Sequence, residues 1–134
     1  MQQPNKILVI RFSSLGDLIL TSPIFRELRR IFPGANLNLL TSVGFGDVLD
    51  NNPHLDRIIK HPRKENFEQL NQLIEELQAE EFDLIYDAHR SMRSRWIVSR
   101  LTAFGMKTKP AVWIIDKRTV NRKLLIHLGW NRLQ

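Results

Sequence analysis

Two clusters of side chains could do chemistry. The first is the run Lys6 to Asp17, KILVIRFSSLGD, in which Ser13, Ser14 and Gly16 make a short polar turn and Asp17 stands where that turn meets a helical pattern. A carboxylate in a partly dry crevice can take a proton from a substrate hydroxyl, and apolar neighbours such as Leu15 and Leu18 raise its basicity. The same carboxylate can cap the helix, satisfying free backbone N–H groups and the helix dipole. Spacing alone leaves both roles open. Ser13, Ser14 and Gly16 can bind an anion through hydroxyls and backbone N–H groups, or form an ordinary small-residue turn. The second cluster is His89 to Arg95, HRSMRSR. Arginines at a helix start oppose the macrodipole at roughly 0.3–1 kcal/mol per exposed charge. A bound carboxylate or phosphate would turn that conflict into a site, with guanidinium groups gripping it in pairs of hydrogen bonds. Arg90 and Arg93 are the stronger candidates and Arg95 the weaker. His89 is either a second acid/base group or a structural hydrogen-bond partner. Arg63 and Lys64 could reach the same crevice or simply face solvent.

Five strands and their helices must position these groups. Ile7 to Ile10 is an unbroken apolar run, the pattern of a strand buried on both faces. Apolar spacing predicts a helix between Asp17 and Phe32, with Leu20, Ile24, Leu28 and Ile31/Phe32 inward and Arg26, Glu27, Arg29 and Arg30 largely off that stripe. Pro23 either opens this helix after a Ser22 cap or bends a longer one, and Pro33-Gly34 ends it. Asn36 to Thr41 is a second strand, Gly44 to Asp50 a short helix, and Ile58-Ile59 a brief third strand. Asn66 to Gln78 is a helix, Phe82 to Tyr86 a fourth strand, Ser91 to Phe104 a helix and Val112 to Ile115 a fifth strand. Alternating strands and helices predict an α/β fold with a Rossmann-like parallel sheet, helices on both faces, and strand order 3-2-1-4-5. Strands one and four are then neighbours, and both clusters meet where their carboxyl ends part.

The chain of 134 residues, 43% hydrophobic, suffices for one domain with a real core. Residues 1–115 form that domain, and 116–134 a basic segment with an apolar side (Leu124, Leu125, Ile126, Leu128, Trp130, Leu133) that expects further protein to cover it. There is no cysteine, which excludes disulfides and thiolate metal sites. No leader and no apolar run of about 20 residues is present, so a cytoplasmic location is expected. Charge is unevenly placed. Met1 to Ala88 holds 9 Lys/Arg against 13 Asp/Glu, whereas His89 to Gln134 holds 11 against 1. An anionic partner is expected for the second part. Lys117, Arg118, Arg122 and Lys123 form a basic stripe that could meet substrate or an anionic membrane face, or lie in solvent.

Several chemistries are disfavoured. The first turn has one glycine and no ribose-binding acid follows the second strand, so a dinucleotide site is weak. There is no phosphate-binding GxxxxGK[ST] loop and no HExxH, and the four histidines are scattered, so no metal is expected.

KILVIRFSSLGDLILTSPIFRELRRIFPGANLNLLT resembles the opening of the bacterial heptosyltransferases, glycosyltransferase family nine, and FDLIYDAHRSMRSRWIVSRL resembles the same family's fourth-strand segment. The hallmark R-x-S-S-x-G-D, with a proline some six residues on, is here Arg11, Ser13, Ser14, Gly16, Asp17 and Pro23. The likeness runs from about Lys6 to Leu101. Where many relatives have Gln-Gly, this chain has His89-Arg90. The resemblance implies the N-terminal, acceptor-binding half of a two-domain GT-B enzyme. It implies a metal-independent, inverting transfer of heptose from ADP-heptose to the inner core of lipopolysaccharide, with Asp17 as general base. No cofactor is implied; the nucleotide-sugar donor is bound mainly by the second domain, so the 134 residues alone are expected to be inactive. The implied partners are the donor and an anionic lipid-linked oligosaccharide acceptor, with peripheral contact at the inner face of the inner membrane. The alternative reading, from the residues alone, is a non-catalytic α/β module binding nucleic acid or another polyanion; the scarcity of aromatics among the basic residues argues against single-stranded nucleic acid.

Overall fold

The computed structural model describes residues 4–12, 22–44, 49–62, 66–103 and 110–114. In chain order these hold β1 (Lys6–Ile10), α1 (Ser22–Ile31), β2 (Asn36–Ser42), β3 (Arg57–His61), α2 (Phe67–Glu80), β4 (Leu84–Asp87), α3 (Met92–Leu101) and β5 (Ala111–Ile114). The strands form one parallel sheet in the order β3-β2-β1-β4-β5, the order expected from the sequence. Alternate residues of each strand supply two cores. Ile7, Val9, Leu37, Leu39, Leu84 and Tyr86 pack with Ile24, Phe25 and Leu28 of α1. Leu8, Ile10, Leu40 and Ile85 pack with Leu73, Ile74 and Leu77 of α2 and Ile97 and Leu101 of α3. A strand buried on both sides must be apolar at every position, which is why β1 and β4 read as continuous runs.

The element ends differ from expectation in instructive ways. β3 extends beyond Ile58-Ile59 because Lys60 and His61 pair with Thr41 and Ser42; at a sheet edge polar residues can still join the ladder. β4 is Leu84–Asp87 rather than Phe82 to Tyr86: Asp87 pairs with Ile10 and Ile114 and is buried. Asn66 and Ser91 are the caps of α2 and α3 rather than their first turns, each accepting the backbone N–H three residues on. Glu27 is buried, not off the apolar stripe, because Arg30 one turn later neutralises it, with Nε 3.0 Å from its Oε1. Pro23 lies in the first turn of α1. The residues that decide whether a helix begins earlier, most of the expected 44–50 helix, and residues 115–134 with their basic stripe lie outside the described residues.

The amino end of the sheet is fastened by ions. Asp56 accepts the Leu37 N–H at 2.7 Å and pairs with Arg29 at 2.7 Å, and Glu80 pairs with Lys6 at 2.5 Å and Arg57 at 2.7 Å. The Leu37 amide, helped by Arg29, holds the Asp56 carboxyl below its ordinary value; Lys6, then Arg57, do the same for Glu80. A depressed folded-state pKa contributes stability that is whole above the unfolded-state value and is lost as pH falls through the folded one. Thermal unfolding followed between about pH 6 and pH 3 is therefore expected to show falling stability on acidification. The drop is expected to be shallower in the double variant Asp56→Asn/Glu80→Gln.

Candidate functional site

The carboxyl ends of β1 and β4 are tied together by four contacts, each between residues far apart in sequence. The Ala88 N–H donates to the Ile10 carbonyl at 3.1 Å, extending the ladder one step past β4. The Arg11 guanidinium, buried with the segment, donates through Nη1 to the Ala88 carbonyl at 2.6 Å. The Phe12 N–H donates to His89 Nδ1 at 3.2 Å. The Arg93 guanidinium lies over the Phe12 ring, 3.7 Å from its centroid. Such a cation–π contact is worth about 0.5–2 kcal/mol depending on desolvation, and it fixes a long side chain in one place at the end of β1.

The turn after β4 is built around Asp87. Its Oδ1 accepts the N–H of His89 at 3.1 Å and of Arg90 at 2.8 Å, while Oδ2 accepts the Ser94 hydroxyl at 3.0 Å. One buried carboxylate thus shapes the turn and anchors the first turn of α3. Arg90 adopts φ 56°, a left-handed conformation that costs a side-chain-bearing residue about 1 kcal/mol or more, and its side chain is exposed. No acid lies in the first turn of α3, so the charges of Arg93 and Arg95 are not offset within the helix itself.

Of the residues singled out by sequence, His89, Arg90 and Arg93 come together at the β1/β4 junction. Arg95 is exposed one turn along α3. His89 takes part in a structural hydrogen bond at that edge, its Nδ1 accepting the Phe12 N–H. Asp17, Ser13, Ser14 and Gly16 lie outside the described residues, as do Arg63 and Lys64. Sequence reasoning missed Phe12, Ser94 and the clamp role of Asp87. Phe12 had a signal: it continues the alternation Leu8, Ile10, Phe12 on one face, and it is buried with them. Among the described residues no group of His, Asp or Glu side chains is placed to hold a metal.

No family model matches the chain. A curated relative does: lipopolysaccharide heptosyltransferase 1 of Escherichia coli K12 is 28% identical over 111 residues, 76% of this chain and 34% of that protein. A glycosyl transferase family 9 structure from Veillonella parvula superposes with TM-score 0.72 at 23% identity, covering 84% of this chain and 32% of that one. The E. coli heptosyltransferase WaaC with ADP-2-deoxy-2-fluoro heptose gives TM-score 0.67 at 24% identity, covering 94% of this chain and 41% of the other.

The chain resembles the N-terminal part of a heptosyltransferase. It spans about a third of the length of the curated relative. The heptosyltransferase likeness in fold extends to the solved structures, which share the sheet that brings the β1 and β4 ends together.

Proposed function

We propose that this chain is the acceptor-side domain of an inverting glycosyltransferase that moves heptose from ADP-heptose to the inner core of lipopolysaccharide. The observation that carries the reading is the junction of β1 and β4. The R-x-S-S-x-G-D run leaves the end of one strand, and the Arg90/Arg93 cluster stands at the end of its neighbour. Asp17 takes the proton of the acceptor hydroxyl as that oxygen attacks the anomeric carbon and the nucleoside diphosphate leaves. Ser13, Ser14 and Gly16 present hydroxyl and backbone donors beside it. Arg90 and Arg93, with Arg63 and Lys64, which follow β3 in sequence, hold the acceptor's carboxylates and phosphates, and His89 keeps the turn after β4 in register. The bond between the acceptor oxygen and the anomeric carbon forms, the bond between the anomeric carbon and the diphosphate oxygen breaks, and the proton leaves on the base.

The acceptor is lipid-linked in this reading, which puts the work at the inner face of a membrane, from the cytoplasmic side. Donor contacts belong to a second domain, and residues 116–134 lead toward it. The reading is tested by transfer assays on a full-length transferase carrying this sequence, with Asp17→Asn as the decisive variant. Loss of transfer with retained acceptor binding supports it. Unchanged transfer refutes it, and salt-steep polyanion binding indifferent to Asp17 would favour the non-catalytic module instead.

A further inference from the structure

A groove on the flank of the sheet is lined by side chains that the transferase reading leaves unused. It lies between the edge strand β3 and α2, has a volume of about 240 Å³, and is lined by His61, Pro62, Gln69, Gln72, Leu73 and Glu76. Gln69, Gln72, Leu73 and Glu76 recur every three or four residues and so form one stripe of α2. Facing that stripe, the strands change character toward their carboxyl ends. On the face covered by α2, β2 runs from Leu40 to Ser42 and β3 from Ile59 to His61, and Ser42 and His61 are paired in register. Both are buried, at 2% and 9% exposure. The apolar core on this face stops at Leu40, Ile59 and Leu73, and a polar groove begins beyond it.

The groove offers both halves of hydroxyl recognition. Among the described residues the side chains of Gln72 and Glu76 have no hydrogen-bond or ion-pair partner, so a whole amide and a carboxylate line the groove unengaged. Gln69 Oε1 accepts the Asn66 N–H at 3.1 Å, which fixes that side chain and leaves its Nε2 to donate. Leu73 and Pro62 add an apolar wall. Amides and a carboxylate beside apolar carbon match a sugar ring, whose hydroxyls donate and accept and whose C–H groups are apolar. They do not match an anion. No Lys or Arg occurs in α2, and the Glu76 carboxylate repels negative charge. This is the reverse of the Arg90/Arg93 cluster. A volume below the roughly 300–1,000 Å³ of larger ligand pockets suits a single ring.

We propose that the β3/α2 groove binds one neutral pyranose ring. Gln72 and Glu76 grip neighbouring hydroxyls, Gln69 donates to a third, and Leu73 and Pro62 lie against the apolar face of the ring. β3 stands two strands from β1, about 10 Å away at roughly 4.8 Å per strand. The groove is therefore separate from the β1/β4 junction, and none of its residues serves the proposed transfer. The inference goes beyond the transferase reading: the groove binds a sugar whether or not Asp17 is a base.

The test is a magnetic resonance titration of the isotope-labelled 134-residue chain with methyl α-D-mannopyranoside, with D-mannitol and with inorganic phosphate. The pyranoside is expected to move the side-chain amide signals of Gln69 and Gln72 and the backbone signal of His61, and to saturate with roughly millimolar affinity. Mannitol, which has the hydroxyls without the ring, is expected to bind more weakly, and phosphate to leave those signals in place. Gln72→Ala is expected to weaken pyranoside binding about tenfold, through the hydrogen bonds lost. Its thermal midpoint is expected to stay unchanged, because the side chain is exposed and alanine suits a helix. Signals that fail to saturate by about 100 mM would overturn the proposal. So would a Gln72→Ala chain that binds the pyranoside as tightly as the parent, or phosphate moving Gln72 further than the pyranoside does. Largest pyranoside shifts at Arg90 and Arg93 would overturn it too, by giving the sugar to the junction.

Discussion

Asp17→Asn in a full-length transferase carrying this sequence is expected to lower transfer by about 10²–10⁴-fold, the range a positioned general base contributes, while acceptor affinity moves less than about twofold. An amide is nearly isosteric with the carboxylate and keeps an acceptor oxygen, so a cap at a helix start survives the change with little cost. Proton removal does not survive it. The two roles that spacing alone leaves open therefore separate cleanly in one variant. A base predicts lost turnover with a stable protein, and a cap alone predicts near-normal turnover with a small loss of stability. Steady-state kinetics with acceptor binding by calorimetry distinguish them.

The second large effect is expected at Asp87. Its carboxylate is buried and takes three hydrogen bonds, two from the backbone of the turn and one from Ser94. Asp87→Ala leaves those donors without their acceptor and is expected to cost about 3 kcal/mol, at the upper end for unsatisfied buried groups. Asp87→Asn is expected to cost about 1 kcal/mol or less. Its Oδ1 can still accept both N–H groups, and its amide can donate to Ser94 Oγ, whose own proton has the Ser91 carbonyl at 3.1 Å to turn to. Denaturant unfolding of the two variants measures the contrast. Equal losses would mean that charge, not hydrogen-bond geometry, holds the turn. Asp87 also keeps Arg90 in its left-handed conformation, so the alanine variant is expected to weaken acceptor binding as well as the fold. Arg90→Gly separates the two effects: it relieves the φ of 56° and leaves stability equal or improved, while acceptor binding falls because the guanidinium is gone.

That position shows what a sequence can and cannot reveal. The apolar runs of β1 and β4 gave away strands covered on both faces, and the alternation of elements led to the strand order. Both follow from short-range pattern and from the handedness of crossovers. The His89-Arg90 pair stood out as part of a basic run at a helix start and as a departure from the Gln-Gly of similar sequences. The backbone explains it physically: the second residue of the pair occupies left-handed space that glycine enters freely, and here arginine is kept there by Asp87. The Arg93–Phe12 stack was not legible. It joins the end of β1 to α3 across most of the chain, and nothing in local periodicity marks a cation destined for a particular ring. Glu27 misled for a related reason: a charged residue reads as surface, but its pairing with Arg30 helps it to be buried. Phe67 and Met92 are apolar residues of helices, yet both are exposed, which nothing in the local pattern marks. Each stands at a helix start, where the strand-facing stripe has not yet met the sheet.

The most direct measurement is nuclear magnetic resonance of the isotope-labelled chain titrated with the water-soluble carbohydrate part of a carboxylated and phosphorylated lipopolysaccharide acceptor. The account predicts saturable shifts centred on Arg90 and Arg93, on their side-chain Nε–H signals above all, and on residues 13–17, with Arg57, Glu80 and Asp83 at the opposite end of the sheet unmoved. Largest shifts at that amino end, or confined to the basic stripe from Lys117 to Lys123, would contradict it.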